Sequence, residues 1–184
     1  MTLFNNTPET HGSGEKGVLE QVNLNQSPTA ILKQTLPLVG EQLQCDRVFV
    51  YLRFPRRHVG RVPFCWRRHQ DIPLVYDTDW KPEPRWLPRQ DPMFAAALGG
   101  QPSLFIDDIE MADPKQVNRN FERQTFGHRA LIHAHLFQKR RLWGVLQPSV
   151  FDHPRQWNRE DRLLIKRLVS WLTPIAEEFV KHDR

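Results

Sequence analysis

Residues Leu142–Phe179 read LWGVLQPSVFDHPRQWNREDRLLIKRLVSWLTPIAEEF. With Arg141 before it, the opening is apolar and aromatic, so Arg141–Leu146 reads as a strand. Asn158 stands before a run in which Leu164, Leu168, Leu172, Ile175 and Phe179 recur at helical spacing. It therefore caps a long amphipathic helix, in which Pro174 should introduce a kink.

Working back from this strand–helix ending, Arg129–Phe137 (RALIHAHLF) is a second strand, joined to it by a tight turn at Gln138–Arg140. Asp113-Pro114 opens a helix in which Gln116 completes a capping box and Gly127 ends the run. Leu104–Ile109 is a brief strand, and Asp91-Pro92 starts a short helix closed by Gly99-Gly100. His69–Arg89 carries four prolines with Trp80 and Trp86, the signature of a long irregular loop. Arg47–Phe54 and Arg61–Arg67 are strands turning at Pro55–Gly60. A helix from Ser27-Pro28 to about Gln44 contains Pro37, where a kink or break is expected. Residues 1–26 show no sustained period and read as a flexible tail, leaving 27–184 as one domain. This order predicts an α/β (α+β) fold, with a mainly antiparallel sheet, terminal helices on one face, and short helices and loops on the other.

The length of 184 residues suits one domain with a tail, and 26% charged with 39% hydrophobic residues is ordinary for a globular chain. No run approaches the ~18 apolar residues of a membrane span, and no integral membrane segment is expected. The N-terminus has no apolar signal core. Two cysteines, Cys45 and Cys65, are too few for a disulfide scaffold, so a reducing, cytoplasmic setting is expected. The net charge is +5. Basic groups cluster at Arg53, Arg56, Arg57 and Arg61, at Arg67 and Arg68, and at Lys139–Arg141. They read as solvated strand ends and turns, since no nucleic-acid-binding signature accompanies them.

Leu142-Trp143-Gly144, Pro154-Arg155-Gln156-Trp157, Leu163-Leu164 and Ile175-Ala176 together resemble the C-terminal portion of the bilin-binding GAF domains of phytochromes and cyanobacteriochromes. The strand CDRVFVYLRF is similar to that family's first strand, and FIDDIE to its Asp-Ile element. The resemblance implies a single GAF domain with a six-stranded antiparallel sheet and a bilin on one face. It also implies a regulatory role in signalling or photosynthesis, and a photosynthetic, cyanobacterial source. It maps the family's pyrrole-contacting Asp onto Asp108. The helix expected to supply the Cys-His anchor, Pro114–Phe126, contains neither residue, and the family's strand His falls at Ser149. No covalent bilin is therefore expected.

The residues themselves nominate few sites. His133 and His135 lie two apart on a strand and share a face with Leu131 and Phe137, so they line a pocket or a polar strand face. A metal there lacks further ligands at fixed spacing, and none is expected. Trp80 and Trp86 either anchor a protein partner or pin their loop to the sheet. Cys45 and Cys65 lack a redox motif. Asp107 and Asp108 are strand neighbours that point to opposite faces, so they form no acid–base pair. No nucleophile–base arrangement is visible, so the chain is not read as an enzyme. The expectation is a regulatory domain acting through a protein partner of unknown identity, with homodimerisation through the terminal helices, no nucleic-acid partner and no fixed cofactor. The alternative is a noncovalent receptor for a bilin or other tetrapyrrole, with Asp108, His133 and His135 as ligand-binding residues.

Overall fold

The computed structural model describes residues 17–183. Helices α1 (Val18–Gln21), α2 (Pro28–Gln42), α3 (Leu87–Gln90), α4 (Pro92–Leu98), α5 (Arg119–Thr125) and α6 (Arg159–His182) accompany strands β1 (Arg47–Phe54), β2 (Val59–Arg67), β3 (Lys81–Pro82), β4 (Leu104–Ile106), β5 (Ala130–Gln138) and β6 (Arg141–Val150). All pairings are antiparallel, in the order β3-β2-β1-β6-β5-β4. This is the six-stranded α+β sheet the sequence implied.

Strand alternation assigns the two faces. Val48, Val50 and Leu52 of β1 and Ala130, Ile132, Ala134 and Leu136 of β5 meet Leu32, Leu36 and Val39 of α2 and Ile165, Leu168, Leu172 and Phe179 of α6 in the main core. The intervening residues face the other way, where α4 packs through Phe94 and Ala97 on Leu142 and Val145. Burying side chains of this size contributes roughly 1.5–3 kcal/mol each, which fixes both layers.

Local rules explain the element ends. Ser27 caps α2 by accepting from Ala30 N, with Pro28 at the first helical position. Asn158 and Asp161 form a reciprocal capping box on α6. Both long helices continue through their internal prolines, Pro37 and Pro174. Gly60 is required, since a Cβ there would lie 1.8 Å from the Tyr51 hydroxyl.

Several expectations are corrected. The helix foreseen from Pro114 begins at Arg119. Asp113 holds only one turn, accepting from Gln116 N and Val117 N, and Asn118 then caps a fresh start by accepting from Phe121 N. Burial of Val117 in a satellite core forces the break. The stripe on α6 is rotated, with Ile165, Ala176 and Val180 buried and Leu164 and Ile175 at its margin. β6 runs on to Val150 through Pro148, in the stretch between Ser149 and Leu146 where the β5–β6 ladder is interrupted. The Pro-rich loop contains β3 and α3. The segment read as a tail is described from Gly17, and there Val18 is buried against the core and Val18 N donates to Gln42.

Candidate functional site

Two rows of side chains cross the sheet on the face away from the long helices. Tyr51 pairs with Val145, and Val145 with His135. Phe49 pairs with Gln147, and continuing the register Ala134↔Leu146 by one residue sets His133 opposite Gln147. Phe49, Tyr51, His133, Val145 and Gln147 of these rows floor a cavity of about 310 Å³, whose lining does not include His135. Its roof is Trp86 and Leu87 from the Pro-rich loop, Asp91 and Phe94 at the start of α4, and Phe121 and Phe126 around α5. Phe126 stacks on Phe49 at 5.9 Å and on His128 at 5.4 Å, giving one wall a continuous aromatic surface.

The polar groups in this apolar setting follow from donor–acceptor chemistry. The Gln101 carbonyl can only accept, so His135 Nδ1, 2.8 Å away, carries a proton. Burial depresses the pKa of both His133 and His135 and keeps them neutral. His135 Nε2 is then an acceptor, and His133 Nδ1 donates to it at 2.9 Å. The chain of assignments leaves His133 Nε2 with a lone pair, on a residue that lines the cavity. Gln147, 3% exposed, has its Nε2 buried without a hydrogen-bond partner. An unsatisfied buried amide is unfavourable by about 1–3 kcal/mol. The cavity thus offers one acceptor and one unused donor on adjacent strands.

Asp91 caps α4 by accepting from Phe94 N, and burial, reinforced by the charge of Glu122, raises its carboxyl to about 7. Behind the aromatic wall lies a buried relay that sequence reading missed. Arg47, fully buried, donates to His128 Nδ1 at 3.4 Å, so His128 Nε2 bears the proton and donates to Glu122 at 2.8 Å. Burial holds His128 down to about 3 and Glu122 up to about 8, the latter opposed by the Arg47 charge. Arg47 also lies 4.7 Å over Phe151. The relay ties α5 to β1 and fixes the cavity wall. Its sequence signal was an arginine opening a largely apolar strand.

The remaining nominated residues are placed apart. Asp108 does not share the cavity with His133, and His135 touches it only through His133. Its carboxylate makes a two-point pair with Arg129 at 2.6 and 2.9 Å, which holds its pKa below the usual range, and it borders a separate shallow depression. Asp107 instead accepts from Trp157 N. Trp80 and Trp86 divide. Trp80 packs on the main core and donates to Asp183 at 3.1 Å, whereas Trp86 is 54% exposed at the cavity. Cys45 is buried, its thiol pushed up to about 12 by burial, and Cys65 is half-buried with its thiol also raised by burial. Among the described residues no group of three potential metal ligands converges.

The family model for the GAF domain matches residues 27–173. Among solved structures, the blue-light absorbing form of the PixJ GAF domain of Thermosynechococcus elongatus superposes with a TM-score of 0.63 at 22% identity, covering 83% of this chain and 86% of that one. A far-red absorbing domain with bound biliverdin gives 0.63 at 18% identity, with coverages of 85% and 92%. The GAF domain of an Acinetobacter phosphoenolpyruvate-protein phosphotransferase gives 0.65 at 10% identity, with coverages of 88% and 89%. No curated protein matches the chain.

Proposed function

The chain belongs to the GAF domain family, and from that premise we propose that it is a regulatory receptor which holds a planar, conjugated ligand of the bilin class noncovalently. One observation carries this reading: the partnerless Gln147 amide beside a His133 lone pair, inside an aromatic cavity. A pyrrole N–H complements the histidine, and a lactam carbonyl complements the amide. The biliverdin bound by a structural relative is a ligand with both groups. At about 310 Å³ the cavity lies at the small end of the ~300–1,000 Å³ typical of ligand sites. A four-ring occupant therefore has to displace the Trp86–Leu87 roof.

No thioether is part of this reading. The α5 segment RNFERQT lacks cysteine, neither Cys45 nor Cys65 lines the cavity, and burial raises the pKa of both thiols. Asp108 is left out of the ligand set because Arg129 occupies its carboxylate. We read the function as regulatory rather than catalytic: burial pushes the ionisation of the Tyr51 hydroxyl up, the Glu83 carboxylate that accepts from it is also claimed by Arg53, and Asp91 caps a helix. Output through a protein partner, in signalling or photosynthesis-related regulation, is the second element of the proposal. The exposed Trp86 favours it, since an indole at a cavity rim reports occupancy to whatever docks there. Among the described residues no helix is long and apolar enough to cross a membrane.

The test is to purify the protein from cells making biliverdin and phycocyanobilin and record its spectrum before and after acid–urea denaturation. The expected result is a visible band that separates from the chain on denaturation. A colourless protein removes the receptor reading and leaves partner docking, to be pursued by comparing capture by the wild type and Trp86→Ala.

A further inference from the structure

The sheet gathers basic residues that are far apart in sequence. β1 runs antiparallel to both β2 and β6, and the pair Leu52↔Gly144 carries the end of β1 to the start of β6. The β1–β2 turn, with Arg56, Arg57 and His58, therefore sits beside the β5–β6 turn, with Lys139, Arg140 and Arg141. Both turns place these side chains on unfavourable backbone. His58, Lys139 and Arg140 have φ of 52°, 51° and 60°. A two-residue hairpin loop with both residues left-handed favours Asn-Gly, yet here it is Lys-Arg. Turn geometry alone does not account for two adjacent basic residues in the left-handed region.

Next to the β1–β2 turn is a cleft of about 580 Å³ lined by Arg53, Arg57, His58, Arg85, Phe94 and Leu98, among others. Its inner end is fixed. Arg53, 6% exposed, donates through Nε to Glu83 at 2.7 Å and through Nη2 to His58 Nδ1 at 3.1 Å. Tyr51 donates to the same Glu83 oxygen at 2.7 Å. Glu83 offsets the Arg53 charge, and since Arg53 can only donate, His58 Nδ1 accepts and the ring proton sits on Nε2. Among the described residues neither Arg57 nor Arg85 has a carboxylate partner; Arg57 lies 4.7 Å over the Phe54 ring. The cleft therefore combines two uncompensated guanidinium groups, an imidazole N–H and an apolar wall.

We propose that this cleft is a second binding site, adjoining the Gln147–His133 cavity across Phe94, which lines both, for a small molecule bearing a phosphate or carboxylate on an apolar or aromatic body. The Arg57 and Arg85 forks suit two-point contact with an oxyanion. Phe94 and Leu98 receive the body, and the Lys139–Arg141 turn beside the site adds a positive field that draws anions toward it. A concave site of this volume fits a compact ligand and not a flat surface.

The test is calorimetric titration of the full chain with phenyl phosphate and with benzoate, using phenol as the uncharged analogue. The expected result is saturable binding of one or both anions and no detectable heat from phenol at the same concentrations. Arg57→Gln with Arg85→Gln, both at exposed positions, weakens anion binding by at least about tenfold. Gln147→Met, in the other cavity, leaves it unchanged, which separates this site from the proposed receptor site. Tighter phenyl phosphate identifies a phosphate ligand, and tighter benzoate a carboxylate one. Replacing Lys139-Arg140 by Asn-Gly raises thermal stability and weakens anion binding by about twofold to threefold through the lost field. Wild-type affinity in the Arg57/Arg85 double variant, or equal binding of phenol, overturns the proposal.

Discussion

Replacing Gln147 by Met separates the receptor reading from a purely structural role for that residue, because the two demand opposite signs. Gln147 is 3% exposed and its Nε2 meets no acceptor. Met has nearly the same length and volume, so the exchange opens no new cavity and forces no overpacking. It removes an unmet donor whose burial is unfavourable by about 1–3 kcal/mol. The ligand-free variant should therefore gain about 1–2 kcal/mol of stability, or about 2–8 °C in Tm for a chain of this size. Affinity for biliverdin should fall about fivefold, the equivalent of one hydrogen bond. Urea denaturation of the ligand-free protein, followed by biliverdin titration monitored by absorbance, measures both. A ligand-free variant less stable than the wild type means that the amide is already satisfied, and the argument for a donor waiting on a ligand fails. Unchanged biliverdin affinity refutes the assignment of Gln147 to the site.

Asp91→Asn keeps the helix cap, since Asn accepts as well as Asp, but removes a carboxyl whose pKa in the fold is raised to about 7. A raised carboxyl stabilises the fold fully below its unfolded pKa of about 4, and that contribution is lost as pH rises through 7. The variant should thus gain on the wild type between pH 4 and 7, by at most about 4 kcal/mol, and parallel curves in urea titrations across that range would count against it. In the wild type, the depressed histidines add stability with rising pH up to about 6.5, while Asp91 and Glu122 subtract it up to about 8, so stability should decline between those two values. His128→Phe, preserving the stack on Phe126 but leaving the buried Glu122 carboxyl without its donor, should destabilise by about 1–3 kcal/mol; a loss under about 1 kcal/mol would show that the relay is dispensable. Trp80→Ala should lower stability by about 2–3 kcal/mol, whereas Trp86→Ala should change it by under about 0.5 kcal/mol, and equal losses would contradict the different placements of the two indoles. Asp108→Ala should shift stability by at most about 1 kcal/mol and leave biliverdin affinity unchanged; lost affinity would return Asp108 to the ligand set.

The strands and long helices were legible because their signals are local. Period-two alternation set the faces of β1 and β5, and Ser27, Asp91 and Asn158 marked helix starts through a cap that needs only the next three residues. α5 was misplaced because Asp113 and Asn118 offer competing caps five residues apart, and burial of Val117, a tertiary matter, decided between them. Alternation alone set His133 and His135 on one face, as a pocket lining or a polar strand face, and His133 lines the cavity. Gln147 was not recognised, since its neighbours Phe49 and His133 come from other strands and its significance is a missing partner, which no sequence pattern records. Asp108 was nominated by likeness to a family motif, yet Arg129, contributed just before β5, claims the carboxylate. The two tryptophans looked equivalent because a loop has no period from which to tell inside from outside.

Asp183 at the end of α6 accepts from the Trp80 indole N–H and from the Arg61 guanidinium, and six residues beyond Trp80 the same loop supplies Trp86 to the cavity roof. Between the two indoles the loop is pinned to the sheet, by the pairing of Lys81 and Pro82 with β2 and by Glu83 N donating to the His58 carbonyl. The clasp on the helix end and the roof of the cavity are therefore insulated from each other, and displacing Trp86 and Leu87 should leave Trp80 on Asp183.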